Sequence, residues 1–450
     1  MSRTRRLFNM HPAWLVLWSF VAVILLGYLL LSLPFATTGE ADRTDLLFTA
    51  VSAVCVTGLV VLDTGSDFTG FGQAVILVLI QIGGLGLMTF SVVLFRWIGR
   101  GISHKHRLVM QNLFSQTPRR DIYSLVRGIL QLTAAVEAVG ALLLFFHFLH
   151  YFPPKQAAWT AVFHSVSAFC NAGFSLYPDS MSRWAGSFLL NGSMMGLIIV
   201  GGLGFPVLYE LRGKLRGTAR RMSVQTRTVL ITSAVLIVAP AVIFALIERQ
   251  ALADMAWRQR LLAPVFQVVT CRTAGFNTID LGSLSDATLA MMMALMFIGA
   301  SPGSCGGGVK TTTLAVLTAF TASRAARKKR VNMFKKSIPE ETVFRTVSLV
   351  LLGLAVAGVT FFLLLAREEL RHAALGTAHP FLPLLFETFS AFGTVGLSLG
   401  VTASLSLWSK CWIMALMLVG RVGILSFAYI IAGGGAQRGL EYAEENVMIG

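Results

Sequence analysis

Four short stretches of the 450-residue chain share a pattern that can place backbone carbonyl oxygens around one point. They read FTAVSAVCVTGL, FHSVSAFCNAGF, FQVVTCRTAGF and FETFSAFGTVGL, beginning at Phe48, Phe163, Phe266 and Phe386. Each ends in a pair of small residues, a glycine, and then Leu or Phe. Because glycine has no Cβ, the backbone beside it can adopt unusual φ and ψ angles and turn its carbonyls inward. Such carbonyls can replace the hydration shell of a monovalent cation.

The spacing of these stretches indicates a repeated architecture. Their glycines, Gly58, Gly173, Gly275 and Gly396, are separated by 115, 102 and 121 residues. A second feature recurs in register, as IGGLG from Ile82, VGGLG from Val200, IGASPG from Ile298 and VGRVG from Val419. Its first glycines follow the first set by 25, 28, 24 and 24 residues. Two features that repeat together predict four copies of one unit.

The composition places these units in a membrane. Apolar residues make up 55% of the chain and charged residues 13%, whereas an ordinary soluble chain has about 25% charged residues. The runs long enough to cross a bilayer are 13–33, 71–95, 126–149, 187–209, 228–247, 287–320, 344–366 and 408–432. Shorter apolar runs at 45–57, 157–170, 260–271 and 380–392 are predicted to be re-entrant.

The predicted fold is an all-α polytopic membrane protein with four span–pore-loop–span repeats. Eight transmembrane helices and four re-entrant pore helices would surround one pore. The predicted divisions are a cytoplasmic N-terminus at 1–12, repeats at 13–110, 111–221 and 222–338, and a fourth repeat with a C-terminal tail at 339–450.

The distribution of charge predicts the orientation in the plasma membrane. The segments 1–12, 96–127, 212–227 and 322–345 contain 24 of the 37 Lys and Arg residues. The positive-inside rule places these segments and both termini in the cytoplasm. Topology and anionic lipid explain the basic loops better than nucleic acid does, so no nucleic-acid partner is expected.

Irregular backbone is tolerated at membrane depth only where it lines a pathway. The C-terminal ends of four short helices would add partial negative charge there, which favours a cation. The predicted filter residues are Val56, Thr57, Gly58, Asn171, Ala172, Gly173, Thr273, Ala274, Gly275, Thr394, Val395 and Gly396.

The third unit contains a segment that cannot be a regular helix. GASPGSCGGG runs from Gly299 to Gly308, and both Gly and Pro are unfavourable inside helices. We predict that 299–310 is an intramembrane loop that gates the pathway. Arg421 replaces the small residue found at this place in the other units, and a charge at this depth is costly and usually functional. The predicted gating residues are Gly303, Ser304, Cys305, Gly306, Gly307, Gly308, Lys310 and Arg421.

These motifs resemble the Trk/Ktr/HKT superfamily of potassium transporters, and most closely its KtrB branch. The resemblance rests on the four stretches and on QIGGLG from Gln81, GGLGFPV from Gly201, GASPGSCGGGVKTTT from Gly299 and GRVG from Gly420. It implies potassium uptake through one pore per subunit, a homodimer, and a KtrA-like cytosolic ring of nucleotide-binding regulatory subunits. It also implies sodium as an activator, without placing a site for it. Cys305 departs from the Thr or Ser that many relatives have.

Two other functions stay open from the residues alone. Ion-coupled secondary transporters of small solutes also use broken helices, although their repeats are usually two and inverted. A membrane enzyme would need paired carboxylates, metal ligands or a nucleophile with its base, and none is evident, so we expect neither an enzyme nor a bound cofactor. Glu137 is a candidate cation or proton contact or a partnered carboxyl. Arg272 is expected to point behind its loop, towards carbonyls or a carboxylate such as Asp280.

Overall fold

The computed structural model describes residues 12–86, 122–217, 221–375, 380–424 and 427. Residues 1–11 of the predicted N-terminus, most of the basic segment 96–127 and most of the C-terminal tail lie outside these described residues. The described chain is predominantly helical, with one two-stranded hairpin. This result agrees with the helical class predicted from the sequence.

The helices are α1 Pro12–Leu31, α2 Arg43–Cys55, α3 Gly70–Leu85, α4 Ile122–Phe148, α5 Pro154–Phe169, α6 Phe188–Leu203, α7 Phe205–Leu215, α8 Val224–Ile247, α9 Arg249–Ala253, α10 Trp257–Thr270, α11 Asp286–Phe297, α12 Thr311–Ala325, α13 Glu340–Leu375, α14 Phe381–Gly393 and α15 Leu407–Val422. Three 3-10 turns lie at Ser182–Trp184, Leu281–Ser283 and Thr402–Ser404. Strands β1 Asn332–Met333 and β2 Lys336–Ser337 pair antiparallel, with Asn332 opposite Ser337.

The packing of the short helices follows a cyclic order. Helices α2, α5 and α14 pack against the helices before and after them in their own units, and α10 packs against α8. The helix that follows then contacts the next short helix, so that α3 meets α5, α6 meets α10 and α11 meets α14. Finally, α15 contacts α2. This last contact closes the order and places the four short helices around a common centre.

In three units, the helix that follows the short helix ends at a glycine. Helices α3, α6 and α15 end at Gly86, Gly204 and Gly423, whose φ angles are +81°, +89° and +96°. Helices α6 and α7 are bent by 102° at this break. A glycine with positive φ ends a helix because only glycine adopts this conformation without strain. The span predicted at 187–209 thus contains a bend at Gly204, whereas residues 87–95 and most of 424–432 in the other two predicted spans lie outside the described residues.

Several described helices have the length and composition of membrane spans. Val126–Phe148, Val224–Ile247 and Glu340–Arg371 are each long and apolar enough to cross a bilayer, and the bent pair of α6 and α7 is a fourth candidate. Shorter apolar helices lie at Val16–Leu31, Gly70–Leu85, Asp286–Phe297 and Phe381–Gly393. These helices fit a multi-pass membrane protein, and the count of eight spans stays a prediction.

Three of the helices that follow a short helix, α6, α11 and α15, begin at a serine that caps the helix. The partner of each serine hydroxyl lies in the long helix of the same unit or, for Glu248, at its C-cap. Ser285 Oγ donates to Glu248 Oε1 over 2.5 Å, Ser406 Oγ donates to Glu368 Oε1 over 2.6 Å, and Ser187 Oγ lies 3.2 Å from His147 Nδ1. Capping a helix start satisfies amides that have no partner within the helix. These bonds therefore fix where the helices enter the fold.

Candidate functional site

The glycines of the four predicted filter segments, 56–58, 171–173, 273–275 and 394–396, face one another. A Cβ on each glycine would collide with, or come close to, a carbonyl oxygen of another segment. A Cβ on Gly58 would lie 2.4 Å from Ala172 O, and one on Gly173 would lie 3.0 Å from Ala274 O. A Cβ on Gly275 would lie 2.4 Å from Val395 O, and one on Gly396 would lie 2.2 Å from Thr57 O. Each glycine thus meets the next segment in chain order, and the fourth meets the first. The structure brings all four segments into one closed ring.

The backbone of the filter segments alternates between two conformations. The first residue of each segment has positive φ, at 56° for Val56, 58° for Asn171, 74° for Thr273 and 50° for Thr394. The glycines also have positive φ, between 72° and 93°. Residues other than glycine rarely adopt this left-handed conformation, and such outliers persist only where the surrounding structure holds them. Eight residues in the left-handed conformation within one ring indicate that the backbone conformation of the filter segments serves a function.

Backbone amides of the filter segments have hydrogen-bonding partners, whereas the carbonyls of their central residues have none among the described residues. The amides of Thr57, Ala172, Ala274 and Val395 donate back to carbonyls of the preceding short helix, over 2.8–2.9 Å. Two glycine amides, of Gly58 and Gly396, donate to the hydroxyls of Ser52 and Ser390. The carbonyls of the four central residues accept no hydrogen bond from any described residue. Unpaired oxygens facing one ring can coordinate a cation that has lost its water.

The 299–310 segment lies directly against two of the filter segments. Gly307 N donates to Thr394 Oγ1 over 3.1 Å. A Cβ on Gly306 would lie 2.1 Å from Thr273 Oγ1, so only glycine fits there. Ile298 and Val309 form an isolated parallel bridge that draws the ends of the segment together. The segment is therefore a closed loop seated under the third and fourth filter segments.

The break between α6 and α7 holds the other side of this loop. Phe205 N donates to Gly303 O over 2.9 Å, and Ser301 N donates to Gly202 O over 3.0 Å. Cys305 N donates to Gly201 O over 3.2 Å. The glycine-rich motif of the second unit thus binds the loop of the third.

Two cationic side chains bind carbonyls of the same loop. Arg421 donates to the carbonyl of Cys305 and also to that of Gly83. Lys310 Nζ lies 2.7 Å from Gly306 O and 3.3 Å from Gly307 O. Neither cation forms an ion pair with a carboxylate among the described residues. The structure thus brings all the predicted gating residues together, and their role in gating stays a prediction.

Comparison with known proteins identifies the family. A family model described as TrkH, a cation transport protein, matches residues 16–432. The chain belongs to this family. It is 35% identical to Ktr system potassium uptake protein B of Bacillus subtilis (strain 168), over 98% of this chain and 97% of that protein. Identity to Ktr system potassium uptake protein D of the same organism is 37%, over 98% of each chain.

Two further comparisons agree with this assignment. The chain is 35% identical to potassium/sodium uptake protein NtpJ of Enterococcus hirae, over 98% of each chain. Its fold is similar to the crystal structure of the potassium transporter TrkH from Vibrio parahaemolyticus, with a TM-score of 0.70 and 19% identity. That match covers 92% of this chain and 84% of the other. The resemblance drawn from the sequence motifs is confirmed.

Of two charged residues named from the sequence, Arg272 has another partner than the carboxylate suggested, and Glu137 has one of the two surroundings expected. Arg272 is 7% exposed and donates to Ser233 Oγ over 3.1 Å. The suggested partner Asp280 is wrong, because this carboxylate instead accepts from Gly282 N at the start of a 3-10 turn. Glu137 Oε2 accepts from Gln81 Nε2 over 3.4 Å. Glu137 is thus a partnered carboxyl in the wall between the first two units.

Sequence reasoning missed one buried charged residue close to the site. Glu387 has no exposed surface and lies immediately after Phe386, the first residue of the fourth stretch. The corresponding residues after the other three phenylalanines are Thr49, His164 and Gln267. A polar residue recurs at this place in all four stretches, and this recurrence could have identified the position from the sequence. The described residues contain no group of three or more His, Cys, Asp or Glu that could hold a metal ion.

Proposed function

We propose that this chain is the membrane subunit of a potassium uptake system in the plasma membrane. Potassium would pass down its electrochemical gradient through a ring formed by the four filter segments. The observation that carries this proposal is the set of four unpaired carbonyls, on Thr57, Ala172, Ala274 and Val395, around the closed ring of glycines. The names of the relatives, which are potassium uptake proteins, support the choice of ion.

The proposed gate is the 299–310 loop under this ring. In the arrangement described, the loop touches Thr273 and Thr394, while Arg421 and Lys310 hold its carbonyls. Two positive charges on the path below a cation filter oppose the passage of cations. Opening would therefore require the loop and these side chains to move away together.

The proposed assembly is a homodimer with one pore in each subunit, both termini in the cytoplasm, and a KtrA-like regulatory ring on the cytoplasmic face. The words "Ktr system" in the relatives' names support a partner of that kind. The name of the NtpJ relative, a potassium/sodium uptake protein, supports sodium as an activator or second ion. No separate cofactor is proposed for this chain.

Uptake of rubidium or potassium by the purified protein in liposomes tests the proposal. The wild type should show saturable potassium uptake that sodium inhibits only weakly. In Gly58→Ser and Gly396→Ser, the added side chain would meet carbonyls of the neighbouring segment, so discrimination against sodium should fall. Uptake that is indifferent to both substitutions, or absent with regulatory partners present, would favour an ion-coupled transporter of a small solute instead.

A further inference from the structure

The residue that follows the first phenylalanine of each stretch lies in the short helix that precedes a filter segment. These four residues, Thr49, His164, Gln267 and Glu387, are polar and have no exposed surface. Burying a polar group is unfavourable unless it finds a hydrogen-bonding partner. Their partners therefore indicate what each residue holds in place.

Glu387 ties its short helix to the chain that leaves the fourth filter segment. Its Oε1 accepts from Thr402 Oγ1 over 2.5 Å. Thr402 starts a 3-10 turn six residues after Gly396 and is itself 3% exposed. Ser398 Oγ lies 3.1 Å from Thr402 Oγ1 and extends the contact towards Gly396. The outgoing chain is thus fixed against the helix that precedes the filter.

His164 makes the corresponding tie in the second unit. Its Nδ1 lies 2.8 Å from the carbonyl oxygen of Thr160, which can only accept, so Nδ1 carries the proton. In the neutral ring Nε2 is then an acceptor, and it receives the amide of Leu176 over 3.3 Å. It also lies 3.2 Å from Ser175 Oγ. Ser175 and Leu176 lie two and three residues after Gly173, so His164 holds the outgoing chain of the second filter segment.

The other two units lack this tie. Thr49 Oγ1 donates to Asp45 O within its own helix, over 2.9 Å. The side-chain amide of Gln267 has no hydrogen-bonding partner among the described residues. Because the units are arranged in cyclic order, the second and fourth lie opposite each other across the ring. A bond from this position of the short helix to the outgoing chain is therefore present on two opposite sides of the ring and absent, among the described residues, on the other two.

We infer that Glu387 and His164 are positioning residues that set how well the pore distinguishes potassium from sodium. The inference rests on the proposed function. A carbonyl ring selects between ions through the positions and number of its oxygens. A filter segment whose outgoing chain is bonded to the preceding short helix resists contraction around the smaller sodium ion. When the tie is removed, oxygens of that segment can follow the smaller ion, and sodium passes more readily.

Uptake of potassium and of sodium into liposomes, measured separately, tests this inference through the ratio of the two rates. Thr402→Val removes the hydroxyl donor with little change of shape, and Glu387→Leu removes the acceptor. Each should lower the ratio at least about threefold, as expected for loss of one buried hydrogen bond, while potassium uptake continues. Glu387→Gln keeps an oxygen acceptor for Thr402 and should retain most of the wild-type ratio.

Thr49→Val is the matched control, because this hydroxyl bonds only within its own helix. It should leave the ratio unchanged, and a fall equal to that of Thr402→Val would overturn the inference. A wild-type ratio in Thr402→Val would also overturn it, whether or not Glu387→Leu folds. A wild-type protein that takes up no potassium would reject the proposed function instead, so the two failures are distinguishable.

Discussion

Arg421 donates a hydrogen bond to the carbonyl oxygen of Cys305, which lies 116 positions earlier in the chain. The same guanidinium reaches the carbonyl of Gly83 in α3. One side chain therefore joins the fourth unit to the first unit and to the 299–310 loop of the third. Arginine suits this place because its planar group donates in two directions at once.

Removing this side chain should release the loop. We expect Arg421→Ala to raise potassium uptake roughly tenfold when no activating partner is present, since hydrogen bonds to a charged group contribute about 1.5–3 kcal/mol. Arg421→Lys keeps the charge but cannot reach both carbonyls, and should give a smaller rise. Uptake by purified protein in liposomes measures both. Unchanged uptake in a correctly folded Arg421→Ala protein would contradict a gating role.

Lys310 offers an independent test of the same loop. Its ammonium group bonds the carbonyls of Gly306 and Gly307, beside the carbonyl that Arg421 bonds. Lys310→Met keeps the length of the side chain and removes both bonds, so basal uptake should rise. Because both residues hold one loop, their effects should not add. Basal uptake in the double variant equal to the product of the two single effects would show that the residues act separately.

The sequence predicted the positions of the filter segments better than the contacts around them. The spacing of Gly58, Gly173, Gly275 and Gly396 was sufficient, because each repeat carries the same local pattern. The register also placed Arg421 beside the loop. The bend at Gly204 was not predicted, because glycines in an apolar run also occur where continuous membrane helices pack closely.

Contacts between residues far apart in the sequence could not be predicted from local sequence patterns. Nothing in the sequence near Arg272 indicates Ser233 as its partner, since the two meet only after α8 packs against α10. The bond between Glu387 and Thr402 likewise depends on how the chain turns after Gly396. Periodicity and composition specify which faces are buried, whereas hydrogen-bond partners depend on the assembled fold.

An ion pair between Lys410 and Asp45 joins the last unit to the first. The two groups are 2.7 Å apart, and their side chains are only 11% and 16% exposed. Lys410→Met should lower stability by about 3 kcal/mol, because it leaves a largely buried carboxylate without its partner. Thermal unfolding in detergent, followed by size-exclusion chromatography, measures the loss. Adding Asp45→Asn to Lys410→Met should restore part of the stability. A double variant less stable than both single variants would contradict the pairing.

The cap formed by Glu248 predicts a dependence of stability on pH. Glu248 lies one residue beyond the candidate span Val224–Ile247. Burial opposes its charge, but hydrogen bonds from Ser285 and Thr288 outweigh this and lower the pKa of Glu248. Because the folded-state pKa is below the unfolded value, the stabilisation is present above the unfolded pKa. It is lost as the pH falls through the folded pKa.

The thermal midpoint in detergent, measured near pH 7 and again at about pH 3.5, tests this dependence. The wild type should lose more stability on acidification than Glu248→Gln, because the variant has no charge to lose. At neutral pH, the variant should be less stable than the wild type by about 1 kcal/mol. Glu40→Gln, at an exposed position, should behave like the wild type at both pH values. Equal acid sensitivity in Glu248→Gln and the wild type would mean that the charge of Glu248 does not stabilise the start of α11.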